Sequence, residues 1–218
     1  MRFFLVRTVL MASALSLLQS QPLACAQESR NEATGEKRVA TTDKRLLAQA
    51  TTRLQQAVNG KAVVQNDCQR RGKSFKVEES TEIVEIKGCE ATFKTRKRST
   101  SADGVQQLEF TLFANLAELT TPVSVEPATS AECKSVSTPI LRVASRAQPG
   151  KKVRATMQTI SRPADGNQAS DEKPAATTRN DVSFFFHDPA MAKRAARALD
   201  RAVKLCGGQE WPDEDDLP

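Results

Sequence analysis

The sequence predicts an α+β domain in which a strand-rich body lies between two helices, and three observations support this. Apolar residues recur at helical spacing over residues 43–58. Between residues 61 and 187 the apolar period changes to two, as it does in strands. Asp188 and Gly207 then bracket a second amphipathic run, so the chain is expected to close with a helix.

Residues 1–26 have the pattern of a cleavable secretion signal. Two arginines precede a short apolar run, and Ala24-Cys25-Ala26 matches the small residues that a signal peptidase requires. The run is much shorter than the roughly 20 residues of a membrane-spanning helix, and no later segment approaches that length. We therefore predict a secreted or periplasmic protein with no transmembrane segment in its mature chain. A lipid anchor at Cys25 is the alternative, but Pro22 and polar residues separate this cysteine from the apolar run.

Three segments contain few apolar residues and are predicted to be unstructured. They are residues 27–41, 161–181 and 209–218. The first is interpreted as a flexible linker and the last as an acidic flexible tail. A single domain spanning residues 42–208 is expected between them.

The first helix is predicted from Asp43 to Val58, with Thr42 as its N-cap and Asn59-Gly60 as its stop signal. One apolar stripe follows helical spacing: Leu46, Leu47, Ala50, Leu54, Ala57 and Val58. This stripe is interpreted as core, because a domain with few apolar residues needs it for packing.

The body is predicted to contain about seven antiparallel strands, forming a barrel or a curved sheet. The clearest alternation places Leu108, Phe110 and Leu112 on one face, and Val182, Phe184 and Phe186 repeat it. Weaker runs are residues 75–77, 83–86, 92–93, 123–125, 140–143 and 153–157. Lys87-Gly88-Cys89-Glu90 is typical of a hairpin turn, which would place Cys89 at a loop tip.

The second helix has the strongest local signals in the chain. Asp188 can accept hydrogen bonds from the free N–H groups of the first turn, and Pro189 lacks the donor that would be unsatisfied there. Gly207 is the expected stop. A narrow stripe of mostly small residues could lie closely on a sheet: Met191, Ala195, Ala198, Leu199, Ala202 and Cys206. Basic residues cover the opposite face, where they provide solubility or a cationic surface.

Cleavage of the signal would leave four cysteines, an even number that suits two disulfides in an oxidising compartment. Four cysteines allow three pairings and the sequence does not choose among them, but we expect Cys68 with Cys206 and Cys89 with Cys133. Their wide spacing lacks the Cys-x-x-Cys pairs typical of zinc sites, so no metal is predicted.

The formal net charge of +6 is unevenly distributed. Acidic residues crowd the last ten positions, whereas two basic clusters lie in the body. The residues of these clusters that we assign to a possible anion-binding face are Arg70, Arg71, Lys73, Lys94, Arg96, Lys97 and Arg98. Outside the cytoplasm the corresponding partner would be lipid headgroups, an anionic polysaccharide or an acidic protein. The alternative is that the clusters are ordinary solvated turns.

Other functional signals are sparse. The chain has one histidine, His187, and no tyrosine, and it contains no phosphate loop, dinucleotide fingerprint or nucleophile elbow. His187 is expected to have a capping or packing role. Nucleic acid is disfavoured as a partner because the clusters offer only Phe75 and Phe93 for stacking. No cofactor is predicted.

A hypothesis for the tail is that Trp211 anchors it on the basic face of the second helix.

The strand, the Phe186-His187-Asp188-Pro189 junction, the Ala/Arg-rich helix and the terminal Leu205-Cys206-Gly207-Gly208 together resemble the ending of certain secreted bacterial proteins of unknown function. Their order of strands followed by a helix is similar to that of pleckstrin-homology-like domains. The resemblance covers residues 182–208 and implies no catalytic or ligand-binding residues. We therefore expect a non-catalytic secreted protein with a binding or structural role. An envelope-associated enzyme that uses carboxylates, or a secreted inhibitor, is the alternative.

Overall fold

A computed structural model describes residues 43–128, 133–135, 139–165 and 170–211. The fold is α+β and rich in antiparallel strands, as the sequence predicts. Helix α1 covers residues 43–58 and α2 covers Pro189–Leu205. A short 3-10 turn covers Leu116–Glu118. The strands are β1 Val63–Arg70, β2 Lys73–Lys87, β3 Glu90–Ser101, β4 Gly104–Asn115, β5 Thr120–Thr121, β6 Ser124–Pro127, β7 Cys133–Ser135, β8 Leu141–Arg146, β9 Val153–Pro163, β10 Ser170–Asp171, β11 Ala175–Arg179, β12 Asp181–Phe186 and β13 Gln209–Glu210.

The largest sheet has eight strands in the order β10-β9-β4-β3-β2-β1-β7, with β11 also paired to β9. Tight two-residue turns join β1 to β2 and β2 to β3. Gly88 supplies a positive φ of 58° at the second turn, so the predicted hairpin at residues 87–90 is confirmed. Within the described ranges the strands at the two ends of this order do not pair with each other, so the sheet is not closed there. A closed pleckstrin-homology-like barrel therefore stays a prediction.

Two segments differ from the expectation. Residues 75–77 and 83–86, predicted as separate runs, belong to the single fifteen-residue strand β2. The segment 161–181, predicted to be unstructured, contributes the end of β9 together with β10 and β11 in its described residues. Strand β11 is almost entirely exposed on both faces, so its residues carry no apolar alternation that the sequence could have shown.

A three-stranded sheet, β12-β8-β6, lies beneath α2, which packs on β8 and β12. On β12, Val182, Phe184 and Phe186 are buried, as the alternation predicts. The rings of Phe184 and Phe93 lie 5.5 Å apart between centroids, and this contact joins the small sheet to β3 of the large one. A single apolar core therefore includes both sheets, α1 and α2.

Both helix predictions are confirmed where they can be compared. In α1, Ala50, Leu54, Ala57 and Val58 are buried, while the predicted cap Thr42 lies outside the described residues. The side chain of Asp188 accepts hydrogen bonds from the backbone N–H groups of Ala190 and Met191, at 2.7 and 3.4 Å. The buried face of α2 is wider than the predicted stripe, because Ala192 and Val203 are also buried.

The two disulfides are Cys68–Cys133 and Cys89–Cys206. The expected pairing of Cys68 with Cys206 and of Cys89 with Cys133 is therefore wrong. Strand register explains the first bond, because β7 pairs with β1 and places Cys133 directly opposite Cys68. The second bond joins the tip of the β2–β3 hairpin to the residue that caps α2 at its C-terminus.

The residues after α2 return to the domain. Strand β13 pairs in parallel with β5, and the N–H group of Trp211 donates to the carbonyl of Thr121 at 2.7 Å. The guanidinium carbon of Arg146 lies 5.2 Å from the centroid of the Trp211 ring. The first residues of the tail predicted from position 209 are therefore docked, and the Trp211 ring contacts Arg146 of β8. Residues 212–218 lie outside the described part.

No helix in the described ranges combines the length and the apolar character needed to cross a bilayer.

Candidate functional site

The alternation of side chains along β3 divides the predicted basic face in two. Phe93 and Thr95 are buried on the inner face of the large sheet, so Lys97 projects to that same side. Lys94, Arg96 and Arg98 project to the outer side. The seven cations expected on one face therefore do not lie together.

On the outer face, two of the cations are neutralised by carboxylates. Lys94 lies 2.7 Å from Glu109, and Arg96 lies 3.2 Å from Glu109 and 3.3 Å from Glu82. Partial burial acts to raise the pKa of Glu109, but the hydrogen bonds and charges of Lys94 and Arg96 hold it below its ordinary value. Around Glu109 this face carries a local network of ion pairs, so Lys94 and Arg96 offer an anionic ligand little uncompensated charge.

On the inner face, the remaining cations meet around a concave basin of about 790 Å³. Its cations are Arg70, Arg71, Lys73 and Lys97, and we call this surface the basic basin. Phe75, Val77 and Leu108 contribute apolar lining, and the Cys68–Cys133 disulfide borders it through Cys133. The basin therefore combines an apolar floor with a cationic rim, within the size range of ligand sites.

The rim is shaped by the β1–β2 hairpin. Arg71 and Gly72 form its two-residue turn with φ values of 51° and 77°, the left-handed pair that a tight twisted hairpin requires. Arg71 thus sits at the tip of the turn. Lys73 is the first residue of β2 after the turn. It lies 2.8 Å from Asp103, which is the one carboxylate among the residues that line the basin. The hydrogen bond that the Lys73 ammonium donates to Asp103 raises the pKa of Lys73.

Glu79 lies on the inner face beside the basin, directly opposite Lys97 in the β2–β3 register. Burial raises the pKa of the Glu79 carboxyl, while the charges of Lys97 and Arg179 act in the opposite direction. Arg179 comes from β11 and its guanidinium carbon lies 5.5 Å from the centroid of the Phe110 ring. A titratable carboxyl therefore adjoins the cationic rim.

The other candidate groups have structural surroundings. Nε2 of His187 accepts a hydrogen bond from the backbone N–H group of Gln65 at 3.2 Å, which fits the predicted packing role. Two other glutamates of β2 pair with nearby cations: Glu82 lies 3.3 Å from Arg96, and Glu85 lies 2.8 Å from Lys87. Within the described residues no cluster of histidine, cysteine or acidic side chains could hold a metal ion.

The sequence did not reveal two residues beside the basin, Arg179 and Glu79. It could, however, have shown on which side of the sheet Lys97 lies. Arg179 was overlooked because its segment was expected to be unstructured, and Glu79 because no pattern in the sequence reports the burial of one glutamate. The division between Lys97 and its neighbours Arg96 and Arg98 follows from the period of two alone. In residues 93–98, a period of two places the odd-numbered residues on the inner face of the sheet and the even-numbered residues on the outer face.

Comparisons of this chain with protein families, with curated proteins and with solved structures found no match.

Proposed function

We propose that this protein is an exported, non-catalytic binding protein and that the basic basin holds an anionic group of its partner. The observation that carries the proposal is the convergence of four cations around one concave surface that also has an apolar lining. Lys94 and Arg96 are paired with Glu109 on the outer face, whereas Asp103, the carboxylate that lines the basin, pairs with Lys73. A concave cationic site of this kind attracts carboxylate, sulfate or phosphate groups.

Export is supported by the signal-like pattern of residues 1–26 and by two disulfides, which persist mainly in oxidising compartments. Outside the cytoplasm the available anionic partners are acidic proteins, anionic polysaccharides and lipid headgroups. The pleckstrin-homology-like arrangement is also part of the proposal, supported by the order of strands followed by a C-terminal helix.

The test compares two double charge reversals. Arg71→Glu with Lys97→Glu changes the basin, whereas Lys76→Glu with Arg98→Glu makes the same change of charge on the exposed outer side of β2 and β3. Neither Lys76 nor Arg98 has an ion-pair partner among the described residues. The probes are a heparin column, poly-glutamate and vesicles that contain an anionic phospholipid.

We expect the basin variant to lose at least about tenfold in affinity for one probe, which corresponds to about 1.4 kcal/mol, while the control stays within about twofold of the unmodified protein. The probe that shows the loss identifies the class of partner. Equal losses in both variants, or retention that neither variant changes, would contradict a specific basin.

A carboxylate enzyme is the second candidate, and Glu79 is the observation that favours it, because a carboxyl with a raised pKa can act as a general acid. Its test is the hydrolysis of a panel of 4-nitrophenyl glycosides. Turnover that Glu79→Gln abolishes and Glu78→Gln preserves would support the enzyme. Absence of turnover in the unmodified protein leaves the binding role as the proposal.

A further inference from the structure

A second cationic concavity lies between the two helices and shares no lining residue with the basic basin. It encloses about 450 Å³. Its floor is apolar and includes Ala50 and Ala57 of α1 with Met191 and Ala198 of α2. Its rim carries Arg53 of α1 and Arg194, Arg197 and Arg201 of α2. We call this surface the arginine groove.

The groove exists because the residues that face each other across it are small. Ala50, Ala57 and Ala198 are nearly fully buried, yet their methyl side chains leave a trough between the helices. The long arginine side chains stand on both sides and are exposed to solvent. A ligand in the groove would contact methyl groups below and guanidinium groups at its flanks.

The four arginines lack carboxylate partners within the described part of the chain, where the ion pair of α2 is Lys204 with Asp200 at 3.1 Å. Four like charges around one trough repel each other, so an anion that enters would relieve the repulsion. The planar guanidinium group of arginine also favours bidentate hydrogen bonding with carboxylates. The groove is therefore complementary to an anionic ligand.

The spacing of the arginines describes the shape of that ligand. Arg194, Arg197 and Arg201 follow a three-and-four spacing along one side of α2, which separates them by about 4.5 and 6 Å along the axis at about 1.5 Å per residue. A single small anion cannot contact all three. Acidic residues at positions i, i+3 and i+7 of another helix repeat the same axial spacing.

The lining of the groove discriminates among elongated anions. Single-stranded nucleic acids bind through aromatic platforms, and none of the residues that line the groove is aromatic. An apolar floor between charged rims instead matches an amphipathic helix, which presents apolar side chains inward and acidic ones at its flanks. The small alanines also permit the close approach of a third helix.

We propose that the arginine groove is a docking site for an acidic amphipathic helix of a partner protein. Its apolar contact is with the floor of the groove, where Met191 is the partly exposed side chain, and its orientation comes from pairing with the four arginines. This role is independent of the basic basin.

The test measures the fluorescence anisotropy of a labelled eighteen-residue peptide that carries glutamates on one helical face and leucines on the other. A peptide of the same composition in scrambled order is the specificity control. The binding variant is Arg53→Glu with Arg197→Glu. Its matched control is Lys44→Glu with Lys193→Glu, which makes the same change of charge at exposed positions of the same two helices outside the groove.

We expect the patterned peptide to bind at least about tenfold more tightly than the scrambled one, and the groove variant to remove that difference. The Lys44/Lys193 control should keep it, and the basin variant Arg71→Glu with Lys97→Glu should keep it too. Circular dichroism and thermal melting establish that each variant is folded. A neutral pair, Arg53→Gln with Arg197→Gln, replaces the charge reversal if the latter does not fold.

Three results would overturn the proposal. Equal affinity for both peptides, or equal losses in the groove variant and its control, would mean attraction by net charge alone. Binding of a heparin oligosaccharide in the groove without binding of the peptide would assign the site to a polysaccharide. Tenfold tighter peptide binding after deletion of residues 212–218 would assign the groove to the acidic end of the chain itself.

Discussion

The side-chain amide of Asn59 pairs with both backbone groups of Ile83. Its oxygen accepts from the Ile83 N–H group at 2.6 Å, and its nitrogen donates to the Ile83 carbonyl at 3.1 Å. Strand β1 pairs with β2 only as far as Ser80, so within the described residues the edge of β2 beyond that point has no neighbouring strand on this side. Asn59, directly after α1, stands in for the missing strand.

Replacing Asn59 with alanine should therefore destabilise the domain by about 2 kcal/mol, because two partly buried hydrogen bonds are lost and the Ile83 groups are left unsatisfied. Urea unfolding at neutral pH measures the change. Asn115→Ala is the control, since the Asn115 side chain makes a single exposed bond to the Ala117 N–H group. Equal losses in the two variants would show that the pairing with Ile83 contributes nothing special.

A second prediction concerns Thr81 and Thr95, whose hydroxyls lie 3.0 Å apart in the buried face between β2 and β3. Either single change to valine should cost about 1 to 2 kcal/mol, because the remaining hydroxyl loses its partner in the core. The double valine variant should be more stable than the sum of the single effects implies. A double-mutant cycle by urea unfolding tests this coupling, and additive effects would argue against it.

The ion-pair network around Glu109 predicts a loss of stability in acid. The pKa of Glu109 is lowered in the folded state, so its contribution is present above the ordinary value of 4.5 and disappears as the pH falls through the folded value. Glu109→Gln should cost about 1 kcal/mol or less near pH 7, since the pairs are partly exposed. Once the pH has fallen through the folded pKa of Glu109, the variant and the unmodified protein should converge. A constant difference at every pH would mean that packing, and not charge, is responsible.

Glu79 should behave in the opposite way. Burial raises its folded pKa above 4.5, so the stability linked to this group is present below that value and is lost as the pH rises through the folded pKa. Glu79→Gln should therefore make the domain more stable near pH 7, by an amount that shrinks in acid. Thermal melting from acid to neutral pH measures this difference in stability, with Glu78→Gln on the exposed face as the control. Destabilisation by Glu79→Gln at neutral pH would contradict the prediction.

Peptide mapping without reduction should recover Cys68 linked to Cys133 and Cys89 linked to Cys206. Changing Cys89 and Cys206 together to alanine should cost about 2 to 5 kcal/mol, as removal of a native disulfide does in small secreted domains. Recovery of Cys68 linked to Cys206 would contradict the strand register of β1 and β7.

Elements specified by local chemistry could be predicted from the sequence. Helix α2 begins and ends where Asp188 and Gly207 indicate, because caps involve groups within a few residues of each other. Strand β12 was predicted because one of its faces is fully buried and the other is more exposed, which produces a clear alternation. The burial of Val182, Phe184 and Phe186 was accordingly visible in the sequence.

Features that depend on distant parts of the chain could not be predicted. Strand β11 is stabilised by its pairing with β9 and not by burial, so its Ala-Ala-Thr-Thr-Arg sequence gives no strand signal. The partner of Cys68 is determined by which strand lies beside β1. The arginine groove requires the packing of α1 against α2, which no local pattern reports. In the basic basin, the period of two identifies the side on which Lys97 lies, but only the fold brings Arg70 and Arg71 to it.

The two disulfides interlock along the chain, because Cys89 lies inside the loop closed by Cys68–Cys133 and Cys206 lies outside it. A protease that cuts the backbone once, anywhere between Cys68 and Cys206, therefore leaves both pieces joined by at least one covalent bond. Exposed hairpin tips such as Arg71-Gly72 can be nicked without releasing a fragment. A single cut of this kind would be visible as separate fragments only after reduction of the disulfides.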